Sequence, residues 1–310
     1  MSEDLDLFKH EFSKNIPNAY LLKRKNITYF NSIIISVTKL TYFKKYSFFG
    51  DKTTIERFKR IIKSWLTSDK NKIIIEKGIW FTDHKSHVYF HWLMDSLQRA
   101  EISFEYQKEY PLLLPEELYE KPFVVESLDH LGLNYILLKK NQIYKIKKII
   151  ITSKTAETGN YNKNILSNLI DRFHENINLQ SLRPEKNIFI YRKKEVGRTI
   201  GNFENIKKIL DKYNFEVVEF EDFSFKEKIK LLGKCKNLIG IFGSGLTNMI
   251  FMKKNMNVIE IRQLNDKHNN AFYSLASATG LNYYYLFFEF KKNGLEINPE
   301  NFEYLISGLT

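Results

Sequence analysis

Long apolar runs are missing from this chain. The longest are short stretches such as "SIIISV" (32 to 37), far below the roughly 18 residues that read as a membrane-crossing helix. The opening segment, "MSEDLDLFKHEFSK", is acidic and lacks the apolar centre of a signal peptide, so a cytoplasmic location is expected. Cysteine is nearly absent. Cys235 is the only one, which excludes an intrachain disulfide, and its place at the end of "KEKIKLLGKCK" suggests an inert thiol. The chain has no internal repeat and no low-complexity tract. It also lacks the phosphate-binding pattern G-x-x-x-x-G-K-[ST] and the metalloprotease pattern H-E-x-x-H.

What is present suits a folded protein with more than one core. At 310 residues the chain exceeds the length at which a single core stops growing, and 43% hydrophobic and 15% aromatic residues supply the material for two domains. Lys and Arg outnumber Asp and Glu by 48 to 36, a net charge of +12. That balance suits an anionic partner such as nucleic acid, a phosphorylated small molecule or an anionic membrane surface. The lysines are spread along most segments, as on a solvated surface.

From residue 187 onward, strand-like and helix-like segments alternate at βαβ spacing. Strands are expected at 187 to 192, 216 to 220, 237 to 242, 257 to 261 and 282 to 288. Helices are expected at 202 to 214, from a capping box formed by Ser224 and Glu227, from the turn at 243 to about 254, and near 269 to 279 before Gly280. Five strands and four helices predict a doubly wound sheet. The first half reads as mixed α/β, with strands near 27 to 37, 72 to 79, 111 to 114 and 134 to 138 and helices near 53 to 66, 88 to 105 and 162 to 176. "ILLKKNQIYKIKKIIITS" reads as a hairpin with a return strand. Asn298 and Pro299 open a terminal helix. The expected domains are 1–180, 181–290 and a C-terminal helix, 291–310, packing across them.

Gly243-Ser244-Gly245 lies between a buried strand and a helix, where unpaired N–H groups meet anions. The glycines permit close backbone approach, and hydroxyls add donors. With Asn248 at its sixth position the turn does not complete G-x-G-x-x-G, so a turn required only for packing is the competing reading. The loop "YRKKEVGRTIGNFEN" adds Arg192 and Arg198, whose guanidinium forks suit phosphate, and the helix start at Asn202. Glu260, at the end of "NVIEI", suits ribose hydroxyls or is a solvent-facing strand-end charge.

"DHKSHVYFHWLMDSLQR" concentrates His84, His87, His91, Asp83, Asp95 and Arg99. His91 and Asp95 are four apart and share a helical face, so a carboxylate can orient an imidazole that removes a proton from a hydroxyl. Asp95 as the base, or His91 as a core histidine, are the alternatives. Arg99 is structural or binds phosphate. Three histidines also raise a metal reading, but no thiols support it, and "EDF" (221 to 223) is not a D-x-D pattern.

The string from Tyr191 to Tyr285, with "R…GR.IGN.E", "LIGIFGSGLTNMIFM", "VIEI" and "LA…GLNYY", resembles the carboxyl-terminal domain of family 61 glycosyltransferases. This family is associated with capsular-polysaccharide biosynthesis and includes animal and plant enzymes that transfer N-acetylglucosamine or xylose. "HVYFHWLMDSLQRAEI" (87 to 102) is similar to the "y.HWl.d.l.R" segment of the family's first domain. The resemblance implies an α/β GT-B fold, two Rossmann-like doubly wound domains facing a cleft. It implies an inverting transfer from a nucleotide diphosphate sugar, a UDP-sugar in first place, to a glycan hydroxyl. No metal or other cofactor is required on this reading.

The residues divide accordingly. His91 and Asp95 are catalytic, and His87 and Arg99 lie on the acceptor side. Arg192, Arg198, Asn202, Gly243, Ser244, Gly245, Leu246, Thr247, Asn248 and Glu260 bind the donor. The family's turn commonly reads H-G-A-G-L-T-N, whereas this chain has Phe242 in place of the histidine, which points to a different donor or compensation by Ser244. Expected partners are the nucleotide sugar, a glycan or lipid-linked acceptor and the inner face of an anionic membrane. A non-catalytic module for nucleic acid or anionic polymer is the alternative, disfavoured by aromatics that fall in cores rather than among the basic residues.

Overall fold

The computed structural model describes residues 6–36, 41–42, 59, 63, 72–175, 177, 181–192, 199–264, 266, 270–291 and 294–309. The chain divides into two compact units, Pro17–Ala156 and Met1–Ile16 with Glu157–Thr310. Among the described residues no helix is long and apolar enough to cross a membrane.

The first unit contains β1 (Leu21–Phe30), β2 (Ile33–Ser36), β3 (Thr41–Tyr42) and β4 (Ile73–Trp80). A helix, α1, comes next in three parts, Tyr89–His91, Trp92–Ser96 and Leu97–Glu101, of which the middle part is a π turn with the Leu97 N–H donating to the Trp92 carbonyl. Then come β5 (Leu112–Pro115), α2 (Pro122–His130), β6 (Tyr135–Leu138) and β7 (Tyr144–Thr152). The sheet order is β3-β2-β1-β7-β4-β5-β6, with β7, β4, β5 and β6 parallel and the β1–β3 meander antiparallel. Trp80, Tyr29, Leu113, Ile146 and Ile149 fill its core.

Two sequence expectations change here. The strand expected near 27 to 37 is a hairpin, because Asn31 and Ser32 both adopt positive φ (43° and 65°) in a two-residue turn that pairs Phe30 with Ile33. The hairpin expected around 134 to 152 does not form: β6 pairs with β5, while β7 is flanked on both sides by β1 and β4. The helix expected near 53 to 66 lies outside the described residues, apart from positions 59 and 63.

The second unit contains α3 (Lys163–Glu175), β8 (Lys186–Tyr191), α4 (Phe203–Lys212), β9 (Phe215–Glu219), α5 (Phe225–Leu232) and β10 (Cys235–Ile241). A 3₁₀ helix (Ser244–Phe251), β11 (Asn257–Gln263), α6 (Ala271–Thr279), β12 (Asn282–Lys291), β13 (Gly294–Ile297) and α7 (Pro299–Ser307) complete it. The order β13-β12-β11-β10-β8-β9 has five parallel strands and one antiparallel edge strand, β13. The capping box of Ser224 and Glu227 is formed, Gly280 ends α6 in the left-handed region at φ 74°, and the Asn298 side chain caps α7.

The unit boundary falls after Ala156 rather than at 180. Phe173 of α3 packs its ring on Phe225 and Phe251, which ties this helix to the second core. The terminal helix, expected to pack across domains, buries Phe302 and Ile306 in the second unit's own core with Phe189, Ile209 and Ile259. Cys235 opens β10 instead of closing a helix, and burial pushes its thiol pKa up, consistent with an inert side chain.

Four of the parallel strands carry an asparagine at one level. Asn187, Asn237, Asn257 and Asn282 are direct register partners on β8, β10, β11 and β12. Their side-chain amides form a ladder: Asn237 Nδ2 donates to Asn187 Oδ1 at 2.7 Å, Asn257 Nδ2 to Asn237 Oδ1 at 2.7 Å and Asn282 Nδ2 to Asn257 Oδ1 at 3.0 Å. Asn237 is fully buried at the centre. Replacing it strands two neighbouring amides, and buried unsatisfied polar groups are costly. Asn237→Ala is expected to cost about 2–4 kcal/mol, and Asn282→Ala at the exposed end less than about 1 kcal/mol, both read by denaturant unfolding. Equal costs would show that the ladder contributes nothing beyond local packing.

Candidate functional site

In the second unit β8 has β9 on one side and β10 on the other, so connections leave the adjacent carboxyl ends of β8 and β10 in opposite directions. Crevices form at such points in open α/β sheets. Arg192 follows β8 and the Gly243 turn follows β10, which brings them together. A Cβ placed on Gly243 would lie 2.0 Å from Arg192 Nη2, so the guanidinium rests directly on this glycine. Gly243 also has φ 152° and ψ 175°, a backbone region essentially confined to glycine. The turn is therefore glycine for two independent reasons, conformation and the close approach of an arginine.

The turn leads into a 3₁₀ helix where the sequence predicts an ordinary helix, with the Leu246 N–H donating to the Gly243 carbonyl at 3.0 Å. Only the start of the turn reaches the surface: Ser244 and Gly245 are half-buried, whereas Leu246, Thr247 and Asn248 are buried. Leu246 packs over Gly240, and Asn248 Nδ2 donates to the Gly245 carbonyl at 2.8 Å, so these two shape the turn from beneath. Thr247 Oγ1 is buried without a hydrogen-bond partner among the described residues. Phe242 packs its ring 5.4 Å from that of Phe272 in α6. Arg198 lies outside the described residues. Asn202 grips β13, donating to the Ile297 carbonyl at 2.7 Å and accepting from its N–H at 3.3 Å.

Glu260 is neither at a strand end nor facing solvent. It lies in the middle of β11, fully buried, between register partners Gly240 and Tyr285. Tyr283 donates its hydroxyl to Glu260 Oε2 at 2.5 Å, while Oε1 has no hydrogen-bond partner among the described residues. Burial pushes its pKa up to about 7, against the opposing pull of the Tyr283 hydroxyl and the nearby Arg262. Arg262 shares this face of β11, is almost fully buried, and lies 5.5 Å from the ring centroid of Phe8. Phe8 in turn stacks on Tyr273. Tyr283, Arg262 and Phe8 escaped the sequence reading. The alternation of Glu260 and Arg262 along an apolar strand was the available signal for a buried charged pair.

In the first unit, Trp80 of β4 pairs with Ile151 of β7, so the residues after the two strands lie side by side. Asp83 and Ser86 are buried in the loop after β4, while His84 and His87 are exposed. Ser86 Oγ lies 2.7 Å from Ser96 Oγ and accepts from the Asp83 N–H at 2.9 Å, which pins the loop to the π turn of α1. Arg99 is buried rather than presented to an acceptor. Its Nε and Nη2 donate to Thr152 at 3.2 and 3.1 Å, and Nη1 pairs with Asp83 at 3.6 Å. This is the structural role left open by the sequence.

His91 Nδ1 lies 2.7 Å from Asp95 Oδ2, and both side chains retain partial exposure, 18% and 11%. An ionised carboxylate only accepts, so Nδ1 carries the hydrogen and Nε2 becomes the basic atom. Asp95 sits within the π turn, a helix irregularity frequent at functional sites. His87 is exposed, its Nδ1 2.9 Å from the His84 carbonyl oxygen. Among the described residues no three His, Cys, Asp or Glu side chains group as metal ligands.

Two measurements test these placements. Gly243→Ala is expected to cost about 1–3 kcal/mol from backbone strain alone, and more if Arg192 cannot move aside. Gly245→Ala, whose Cβ would meet Ile190 at 3.3 Å, should cost less; equal unfolding midpoints would refute the strain. For Glu260, the folded state holds a proton that the unfolded chain releases near the ordinary value of 4.5. Stability from that protonation is full below pH 4.5 and is lost as pH rises through about 7. Glu260→Gln should therefore gain on the order of 3 kcal/mol relative to wild type between pH 4.5 and pH 8. A constant difference across that range would show an ionised carboxylate throughout.

No curated protein matches the chain. The sequence profile of the family described as Glycosyltransferase 61 matches residues 89–259, from the start of α1 through the Gly243 turn to β11. Because that match covers more than half of the 310 residues, the chain belongs to glycosyltransferase family 61.

Proposed function

We propose that the chain is an inverting, metal-independent glycosyltransferase of GT-B architecture. It moves a sugar from a nucleotide diphosphate sugar, a UDP-sugar, to a glycan hydroxyl in bacterial capsule or other surface polysaccharide synthesis. The observation that carries this reading is the His91–Asp95 pair: an imidazole 2.7 Å from a carboxylate, at the start of the segment that matches the family. Family membership supports a sugar donor and an acceptor, and the pair supplies the base that an inverting displacement needs.

In this reading the acceptor oxygen attacks the anomeric carbon while its proton passes to His91 Nε2. The bond to the diphosphate breaks on the opposite side, and its electrons leave with the diphosphate. Asp95 holds the imidazole tautomer and balances the charge it gains. Arg192 and the backbone amides at Gly243–Gly245 stabilise the departing diphosphate. Arg99, through Asp83 and Thr152, positions the loop before α1. The net charge of +12 supports a location at the inner face of the cytoplasmic membrane, through attraction to anionic lipid.

Calorimetric titration of UDP in EDTA, with GDP and CMP for comparison, should show saturable UDP binding. Absence of binding by every nucleotide, even after magnesium or manganese is added back, would sink the donor assignment. His91→Ala should lower kcat by about 10²- to 10⁴-fold without changing UDP affinity, and Asp95→Asn should lower kcat less. Full activity of His91→Ala would remove it as the base.

A further inference from the structure

The second unit contains a cavity of about 460 Å³ along the carboxyl edge of its sheet, beyond the Gly243 turn. It lies where β11 and β12 end. β12 and β10 are separated by β11 alone, two strand spacings or about 10 Å from the turn. Leu264 and Phe287 give it an apolar wall, and Asn298 and Asn301 stand at the start of α7. The β12–β13 hairpin contributes Glu289, Lys291 and Glu296, and Asn202 also lines the cavity.

The charges decide what fits. Glu289 and Glu296 are direct cross-strand partners, an arrangement that opposes two like charges. Lys291 Nζ is engaged by Glu296 at 2.6 Å, so the cavity's described lining sets two carboxylates against one ammonium. The lining thus offers mainly acceptor oxygens, whereas the Arg192 and Gly243 turn offers a guanidinium. Carboxylate oxygens accept from hydroxyls, side-chain amides both donate and accept, and an apolar wall covers the face of a ring. We propose that this cavity is a subsite for an uncharged, hydroxyl-bearing ring, with Glu289 accepting hydrogen bonds from neighbouring hydroxyls. The ring is either the ribose of the donor nucleotide or a sugar residue. The ribose assignment rests on the donor site proposed above, whereas the subsite's chemistry does not.

The test titrates intact wild-type protein and Glu289→Ala with UDP, inorganic diphosphate and N-acetylglucosamine. Glu289 is exposed, and removing it relieves a repulsion, so the variant should unfold no more easily than wild type. Glu289→Gln, which keeps the shape and one acceptor, provides a second variant. If the ring is ribose, Glu289→Ala weakens UDP about 5- to 10-fold and leaves diphosphate unchanged, with Glu289→Gln in between. If the ring is a sugar residue, N-acetylglucosamine binding is the one that falls, and UDP is unaffected. Both results support the subsite. Unchanged affinities for all three probes, or wild-type protein that binds neither UDP nor N-acetylglucosamine, would overturn it. N-acetylglucosamine binding that depends on Glu289, together with no binding of UDP or diphosphate, would uphold this subsite while rejecting the donor site.

Discussion

The amide ladder of Asn187, Asn237, Asn257 and Asn282 fixes how four parallel strands of the second unit align, and the edge that holds Arg192 and Gly243 depends on it. Apolar strands such as "NLIGI" and "NVIEI" offer little to distinguish one register from the next. A slip by one residue turns each side chain to the other face. In β11 that slip would move Glu260 and Arg262 into the apolar core of Phe189, Ile259 and Phe302, where neither charge would find a partner. The polar ladder at one end and the buried charged residues on one face therefore restrict the sheet to a single alignment.

The first unit uses a different device to the same end. Its His91–Asp95 pair lies on a helix with a wide π turn, and a buried network of Asp83, Ser86, Ser96, Arg99 and Thr152 holds the turn to the ends of β4 and β7. None of these groups needs to touch a substrate. They restrict the turn that carries His91 and Asp95 before any ligand arrives.

Much of the second unit was legible because its strands and helices alternate regularly and their ends carry local signals: Ser224 with Glu227, Gly280, and Asn298 with Pro299. The close pairing of His91 with Asp95 followed from their spacing. Burial was harder to read. Glu260 and Arg99 look like surface charges in a one-dimensional sequence, and only tertiary partners such as Tyr283 and Thr152 reveal otherwise. The 3₁₀ form of residues 244 to 251 was hidden because its apolar residues satisfy either helical period. The ladder was visible in principle, since each of the four strands carries an asparagine at or near its start, but asparagine disfavours strands by propensity and signals turns instead.

Arg192, Phe242, Arg262 and Phe287 each lie five positions after the asparagine of their own strand. The ladder thus acts as a ruler whose zero mark is shared, and the sheet edge is built by counting from it. The residues at the far end differ in chemistry, two arginines and two phenylalanines, while the interval is the same. Length cannot vary in the same way. One residue inserted between Asn237 and Gly243 would carry the glycine about 3.3 Å past Arg192, although every residue of both were retained. Lineages of this chain can be expected to diverge in residue type at these positions while preserving the interval, a signature of spacing rather than identity.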